Sequence, residues 1–127
     1  MTTEITYNEA LDALHIKVTG SIDINEILRL KDQLLAHPNF TTNIDQIFDC
    51  SEGSLNLSFE ELQITADAYS AAADRFGRRR KLALIVQRDL DYGKTRQYEM
   101  FFDSGPEVLI RTFKTLEDAQ HWIGKTT

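Results

Sequence analysis

The start of the chain alternates between apolar and polar residues. Ile5 and Tyr7 have polar neighbours, and after the polar stretch 8–12 the alternation returns at Leu14, Ile16 and Val18. A period of two places successive side chains on opposite faces of a strand. The chain is therefore predicted to open with a β-hairpin that buries one of its faces.

A helical period follows this hairpin. Asp23 and Glu26 have the spacing of a capping box, and apolar residues then recur at helical spacing, at Ile24, Ile27, Leu28, Leu34 and Leu35. Pro38 has no backbone donor and disfavours helical geometry in the residue before it. We therefore expect a first amphipathic helix that ends near His37.

A short apolar strand is expected next, from Ile44 to Asp49. The stretch Ser51-Glu52-Gly53-Ser54 that follows is rich in residues that favour turns, so it predicts a turn. On this interpretation Asp49 stands at the end of a strand, at the edge where open α/β sheets bind ligands.

The second helix has the clearest pattern in the chain. Ser58 and Glu61 form a capping-box spacing, and apolar residues recur at steps of three and four from Phe59 to Phe76. Gly77 is a natural C-terminal stop. One continuous helix is predicted.

The remainder of the chain repeats the change from strand to helix. A continuous apolar run at 82–86 suits a strand that is covered on both faces. A third helix is expected over 90–102, closed by Ser104-Gly105-Pro106, then a strand over 108–113 and a last helix that starts at Thr115.

These elements define the fold class. The order ββαβαβαβα predicts an α/β domain with a five-stranded mixed sheet and four helices, in which the strands after the hairpin run parallel. The length of 127 residues and 42% hydrophobic content suit one core, so residues 1–127 are expected to form a single domain.

Charge narrows the choice of partners. The formal net charge of −6 repels phosphate backbones, so nucleic-acid binding is not expected. The concentrated basic run is Arg78-Arg79-Arg80-Lys81, which we interpret as a solvated junction or, alternatively, as a contact surface for an acidic partner or a phosphate group.

The single cysteine, Cys50, excludes an intramolecular disulfide and fits a reducing cytoplasm. The N-terminal residues lack the features of a signal peptide, and no run of about 18 apolar residues occurs. We expect a cytoplasmic protein without membrane insertion.

The element order and several segments also resemble a known family. These segments are Ile47-Phe48-Asp49-Cys50-Ser51, Ala83-Leu84-Ile85-Val86 with Asp89-Leu90-Asp91-Tyr92-Gly93, and residues 110–123. They resemble the STAS/SpoIIAA-like superfamily of bacterial anti-sigma-factor antagonists, and within it a divergent group described as STAS/SEC14-like.

The resemblance implies a regulatory protein partner. In STAS antagonists, a strand with an Asp-x-Ser element leads to a serine whose phosphorylation breaks the partner complex. Asp49 and Ser51 match that element, and Ser58 falls at the position of the phosphorylated serine, although its flanking residues here are Leu57 and Phe59.

The candidate partner- or ligand-binding residues are Asp49, Ser51, Ser54, Ser58 and Tyr92, with Ser58 also a possible phosphorylation site. Each has a structural alternative. Asp49 suits a turn carboxylate, Ser58 a helix cap, and Tyr92 simple helix initiation. Asp89 and Asp91 have the spacing of a cap region.

The sequence predicts no catalytic or metal site. Cys50 would need a nearby base, and His15, His37 and His121 lie on separate elements with no ligand spacing among them. No cofactor is expected, and an enzyme is the third hypothesis, with support from Cys50 and Asp49 alone.

The leading hypothesis is a non-enzymatic regulatory or protein-interaction module. The alternative is a domain that binds a small apolar ligand or lipid, because the likeness is SEC14-like and helices rich in Phe and Tyr are able to line a cleft. The predicted third helix carries an aromatic stripe, formed by Tyr98, Phe101 and Phe102, which suits the core, the lining of a pocket or a subunit contact. A homodimer through this stripe or through the edge strand of the hairpin is an open alternative.

Overall fold

The computed structural model describes residues 1–101 and 108–125. Its five-stranded sheet has the order β1-β2-β3-β4-β5. β1 pairs antiparallel with β2, and β2 through β5 run parallel, which confirms the predicted mixed sheet. The strands are β1 (Thr2–Asn8), β2 (Ala13–Ile22), β3 (Asp45–Leu55), β4 (Arg80–Ile85) and β5 (Val108–Phe113).

The described residues form five helices, where the sequence predicted four. They are α1 (Ile24–Leu35), α2 (Phe59–Ala71), α3 (Ala73–Phe76), α4 (Asp89–Met100) and α5 (Leu116–Ile123). The predicted second helix is divided at Ala72, whose amide donates to the carbonyl of Tyr69 and so tightens the last turn of α2. The break lets the Phe76 ring stack on Tyr69, with centroids 5.5 Å apart.

Helices cover the two faces of the sheet unequally. On one face, Leu14, Ile16 and Val18 of β2 pack against α1 together with Phe76, and a second cluster joins β4 to α2 and α4. On the other face, α5 packs its apolar side on β3, β4 and β5 and on Ala13 at the start of β2. The rest of that second face is left without a covering helix among the described elements.

The basic run is not the solvated junction that its sequence suggests. Arg80 is 7% exposed, with its guanidinium 5.1 Å from the centre of the Phe76 ring, and burial lowers its pKa. Lys81 Nζ donates to two carbonyls at the end of α5, at 2.9 and 2.7 Å. Arg78 is exposed. Half of the run therefore belongs to the packing of β4.

A tight contact joins the start of β3 to the start of β4. Gly77 has a φ of 95° and Asn43 a φ of 71°. Asn43 N donates to the carbonyl of Phe76 at 2.8 Å, and its Oδ1 accepts from the amide of Arg79 at 3.1 Å. A Cβ at position 77 would lie 2.0 Å from Asn43 Oδ1, so the contact requires glycine.

Within the described residues, no helix is both long and apolar enough to cross a membrane. The predicted helix end at Ser104-Gly105-Pro106, and Phe102 of the aromatic stripe, lie outside the described residues.

Candidate functional site

The uncovered part of the sheet forms a polar surface, which we name the open sheet face. Because side chains alternate along each strand, one side of β1, β2 and β3 presents mainly short polar and charged groups. Most of them are exposed or partly exposed, and Asp49 is buried at their centre. The open sheet face consists of Thr2, Glu4, Thr6, His15, Lys17, Thr19, Asp49 and Glu52.

Asp49 organises this surface. Its carboxylate lies 3.3 Å from His15 Nε2 and accepts from the amide of Ser51 at 3.0 Å. Burial acts to raise the pKa of Asp49, but the hydrogen bonds from Ser51 and His15 outweigh it and hold that pKa below its ordinary value. Asp49 is therefore a buried, ionised acceptor.

The position of Asp49 differs from the prediction. It lies within β3, paired with Lys17 of β2 and Ile85 of β4, and the serine-rich stretch continues the strand to Leu55 instead of turning. Between Lys17 and Thr19 the register shifts, so that two steps on β2 match three on β3. This is a β-bulge.

The turn prediction failed because a long partner strand overrides the local signal. β2 extends through Ile22 and supplies backbone partners for the whole serine-rich stretch. Gly53 lies opposite Gly20 in this ladder, and a Cβ at Gly53 would come within 3.0 Å of the Gly20 carbonyl oxygen. The glycine that suggested a turn instead permits close strand pairing.

The predicted site residues are not brought together. Asp49 and Ser51 are in contact, and Ser54 follows on β3, opposite Ser21. Ser58 instead starts α2, where its Oγ accepts from Glu61 N at 3.1 Å and its amide donates to Glu61 Oε1 at 3.0 Å. This confirms the capping box. Whether Ser58 is phosphorylated stays a prediction.

Tyr92 lies in α4, partly buried against the core cluster of β2 and α1. Lys114 Nζ sits 5.2 Å from the centre of its ring. Lys94 Nζ, two residues further along α4, donates to the carbonyl of Leu55 at 2.6 Å. Lys94 therefore helps to fix α4 against the end of β3, and Tyr92 helps to fix it against the core.

The start of α4 also differs from the prediction. Its N-cap is Arg88, which makes no side-chain cap hydrogen bond, and Asp89 and Asp91 lie inside the helix. Asp91 is 1% exposed and accepts from Leu55 N at 3.3 Å. Asp91 was predicted as a cap-region residue because the sequence does not show that β3 reaches Leu55.

Cys50 lacks the environment of a nucleophile. Cys50 is 2% exposed, and burial raises the pKa of its thiol well above the ordinary value. His15 contacts Asp49, which the sequence had not indicated, while His37 Nδ1 accepts from Asn39 N. In residues 1–101 and 108–125, no group of three or more His, Cys, Asp or Glu side chains is arranged to hold a metal ion.

A cavity of about 70 Å³ lies on the opposite side of the sheet, between β3, β4 and helices α1, α2 and α4. Its wall is mostly apolar and includes Gln46, which is 3% exposed. Gln46 was not among the predicted site residues, although the alternation of β3 places it on the same side as Phe48 and Cys50.

Comparison with solved structures confirms the SpoIIAA-like fold. The chain is similar to an uncharacterised protein of the DUF3478 family with a SpoIIAA-like fold from Shewanella loihica PV-4, with a TM-score of 0.60 and 20% sequence identity. The match covers 96% of this chain and 92% of that one. No protein-family model and no curated protein matches the sequence. At this identity the likeness shows the fold and leaves the function to the site.

Proposed function

We propose that this domain is a cytoplasmic, non-enzymatic regulatory module that binds a partner protein through the open sheet face. The observation that carries the proposal is the part of the parallel pair β2–β3 that α5 leaves uncovered. Parallel strands are usually covered on both faces. Here the polar side of this pair faces solvent, with Lys17 and Glu52 exposed on neighbouring strands.

The open sheet face is chemically suited to a polar interface. Lys17 Nζ lies 2.9 Å from Glu52 Oε2, and the threonines on β1 and β2 offer hydroxyl groups that both donate and accept. His15 and Asp49, which are hydrogen bonded to each other, lie on the same face as these exposed groups. Such a surface gives specificity by hydrogen bonding and charge complementarity.

The environments of Cys50 and Ser51 support a non-enzymatic role. A nucleophilic cysteine needs a lowered pKa and access, whereas Cys50 is buried and its pKa is raised. The backbone amide of Ser51 donates to Asp49, His15 Nε2 lies 3.3 Å from the same carboxylate, and among the described residues no hydrogen bond joins Ser51 to His15.

Ser58 provides the proposed means of regulation. Its hydroxyl is exposed at the start of α2, within reach of a kinase, and is held by the capping box. A phosphate there would be favoured by the helix N-terminus but repelled by Glu61, whose carboxylate bonds the Ser58 amide. Phosphorylation of Ser58 would therefore change the hydrogen bonding of the first turn of α2.

The experiment is affinity capture from cells of the protein's source with matched variants. We expect Thr6→Arg, on the open sheet face, to lose a partner that the wild type and Thr41→Arg both recover. Thr41 is exposed in the connection between α1 and β3 and serves as the control. The identified partner is then purified, and its dissociation constant should rise at least about tenfold with Thr6→Arg.

Two outcomes would contradict this assignment. Recovery of the same partner by all three proteins would exclude the open sheet face, and failure of every protein to recover a partner under crosslinking would count against an interaction module.

Ser58→Glu and Ser58→Ala, compared in the same assay, test regulation. Equal partner binding by these two variants would remove Ser58 from the mechanism.

A second candidate function, the binding of a small apolar ligand, is favoured by the cavity and the buried amide of Gln46.

The predicted homodimer remains a separate proposal, in which the edge strand β1 pairs with a second copy. Sedimentation of the purified protein over a range of concentrations tests it.

A further inference from the structure

The cavity between the sheet and the three helices has a wall that is apolar with few exceptions. Ile27 and Leu34 of α1, Leu62 of α2, and Phe48 and Val86 supply much of its surface. Its volume of about 70 Å³ is roughly half of the 150 Å³ of an apolar cavity that accommodates benzene. It therefore fits a molecule of only a few heavy atoms.

Within the part of the chain that the structure describes, one buried side-chain atom of this wall lacks a hydrogen-bond partner. Gln46 Nε2 is fully shielded from solvent, and no hydrogen-bond acceptor reaches it within the described residues. Buried amide donors are almost always satisfied, so an unpaired one calls for an explanation. Because Gln46 also lines the cavity, this unpaired donor belongs to the same wall that would enclose an acceptor.

Several other polar groups of the wall are satisfied by the protein. Thr65 Oγ1 donates to the carbonyl of Glu61 and Thr95 Oγ1 to that of Tyr92, each at 2.9 Å. The hydroxyl of Tyr69 donates to the carbonyl of Ile27 at 3.2 Å. Among residues 1–101 and 108–125, the buried side-chain atom of this wall that lacks a hydrogen-bond partner is Gln46 Nε2, which needs an acceptor.

We propose that the cavity binds a small neutral molecule that is apolar except for one carbonyl-type oxygen, which accepts a hydrogen bond from Gln46 Nε2. The inference rests on the second candidate function and is independent of the open sheet face. A neutral ligand follows because an ionised group in an apolar cavity needs more than one donor to offset its desolvation. Ligands of this size bind with dissociation constants on the order of millimolar.

The test is an NMR titration of protein labelled at the methyl groups of Ile, Leu and Val, several of which line the cavity. The probes are 2-butanone and 2-methyl-1-butene, which have the same shape but differ in the acceptor oxygen. In the wild type we expect both probes to shift the methyl signals of Leu62 and Val86. In Gln46→Met, affinity for the ketone should fall about fivefold, while affinity for the hydrocarbon is retained.

Controls separate this result from folding defects and from the interaction proposal. Gln63→Met changes an exposed glutamine on α2 and should bind both probes as the wild type does. Thr6→Arg, which tests the open sheet face, should also leave both affinities unchanged. If Gln46→Met fails to fold, Leu62→Phe fills the cavity from the opposite wall and should abolish binding of both probes.

Three results would overturn the proposal. The first is the absence of cavity methyl shifts with either probe up to its solubility limit. The second is an equal effect of Gln46→Met on both probes, which would show that the amide does not recognise the oxygen. The third is a long-lived water on the Gln46 amide that the ketone fails to displace, which would make the cavity a hydration site.

Discussion

The unpaired side-chain amide of Gln46 leads to an unusual stability prediction. Removal of this buried polar group should make the folded protein more stable. Gln46 is 3% exposed in β3, and its Nε2 has no acceptor among the described residues. Methionine is unbranched and similar in size, so Gln46→Met keeps the volume of the wall while it removes the donor. In protein free of ligand, we expect the variant to be more stable than the wild type.

The magnitude follows from the cost of leaving an amide unpaired. A buried donor without a partner costs about 1–3 kcal/mol, and a volume-conserving substitution introduces little new strain. The free energy of unfolding should therefore rise by about 1–2 kcal/mol. For a chain of this length, that corresponds to an increase in Tm of roughly 3–10 °C.

The assay is urea unfolding followed by the fluorescence of Trp122, the single tryptophan. The midpoint should move to higher urea at an unchanged m-value, which would show that stability changed and not the denatured state. Gln63→Met, on the exposed side of α2, is the matched control and should stay within about 0.5 kcal/mol of the wild type. Native mass spectrometry of the same samples verifies that no small molecule has copurified.

A fall in stability of about 1 kcal/mol or more in ligand-free Gln46→Met would refute the reasoning, because it would mean that a water or a protein group satisfies the amide. If a copurified ligand is detected, the sign should reverse until that ligand is removed, since the wild type alone would retain the hydrogen bond.

Substitutions at three further positions, each with a comparison variant, test other parts of the structure by urea unfolding. The folded state lowers the pKa of Asp49, so its ionised carboxylate contributes to the free energy of unfolding. This contribution is fully present above the unfolded pKa of about 3.9, and it is lost as the pH falls through the lower folded pKa. Asp49→Asn should therefore cost about 1–3 kcal/mol at pH 7 and flatten the loss of stability below about pH 4, whereas exposed Asp67→Asn should do neither. Gly77→Ala should cost at least about 2 kcal/mol because of its positive φ and the clash that a Cβ would make. The control Gly93→Ala, where a Cβ meets no atom within 4 Å, should stabilise α4 by up to about 1 kcal/mol. Ser58→Ala should lose about 1 kcal/mol of capping energy and Ser58→Thr much less; equal stability of the two would contradict the capping role.

The sequence predicted the elements whose patterns are set locally. The hairpin and most strand and helix positions followed from apolar periodicity, and the parallel arrangement followed from the alternation of strands with helices. The capping box at Ser58 was also correct in its details, because all of its partners lie within one turn.

The errors arose where distant parts of the chain meet. The stretch from Ser51 to Ser54 favours a turn locally, but pairing with β2 keeps it extended. The contact of His15 with Asp49 depends on the register between two strands, and the burial of Arg80 depends on Phe76. Neither a register nor a tertiary neighbour is encoded in local spacing.

Gln46 is an intermediate case, because the sequence contained a usable signal. The alternation around it places Gln46 on the buried side of β3 with Phe48 and Cys50. A glutamine at such a position is unusual in a covered strand. That its Nε2 has no partner among the described residues, however, follows only from the arrangement of the helices above the sheet.

The sheet has the same strand order as the chain, which has a consequence for how the protein folds. Each strand pairs with the strand nearest to it in sequence, and the β1–β2 hairpin needs no residue beyond Ile22. Pairings of short sequence separation lose less chain entropy and form faster. The sheet can thus grow in one direction, from the hairpin toward β5, while the chain is still emerging from the ribosome.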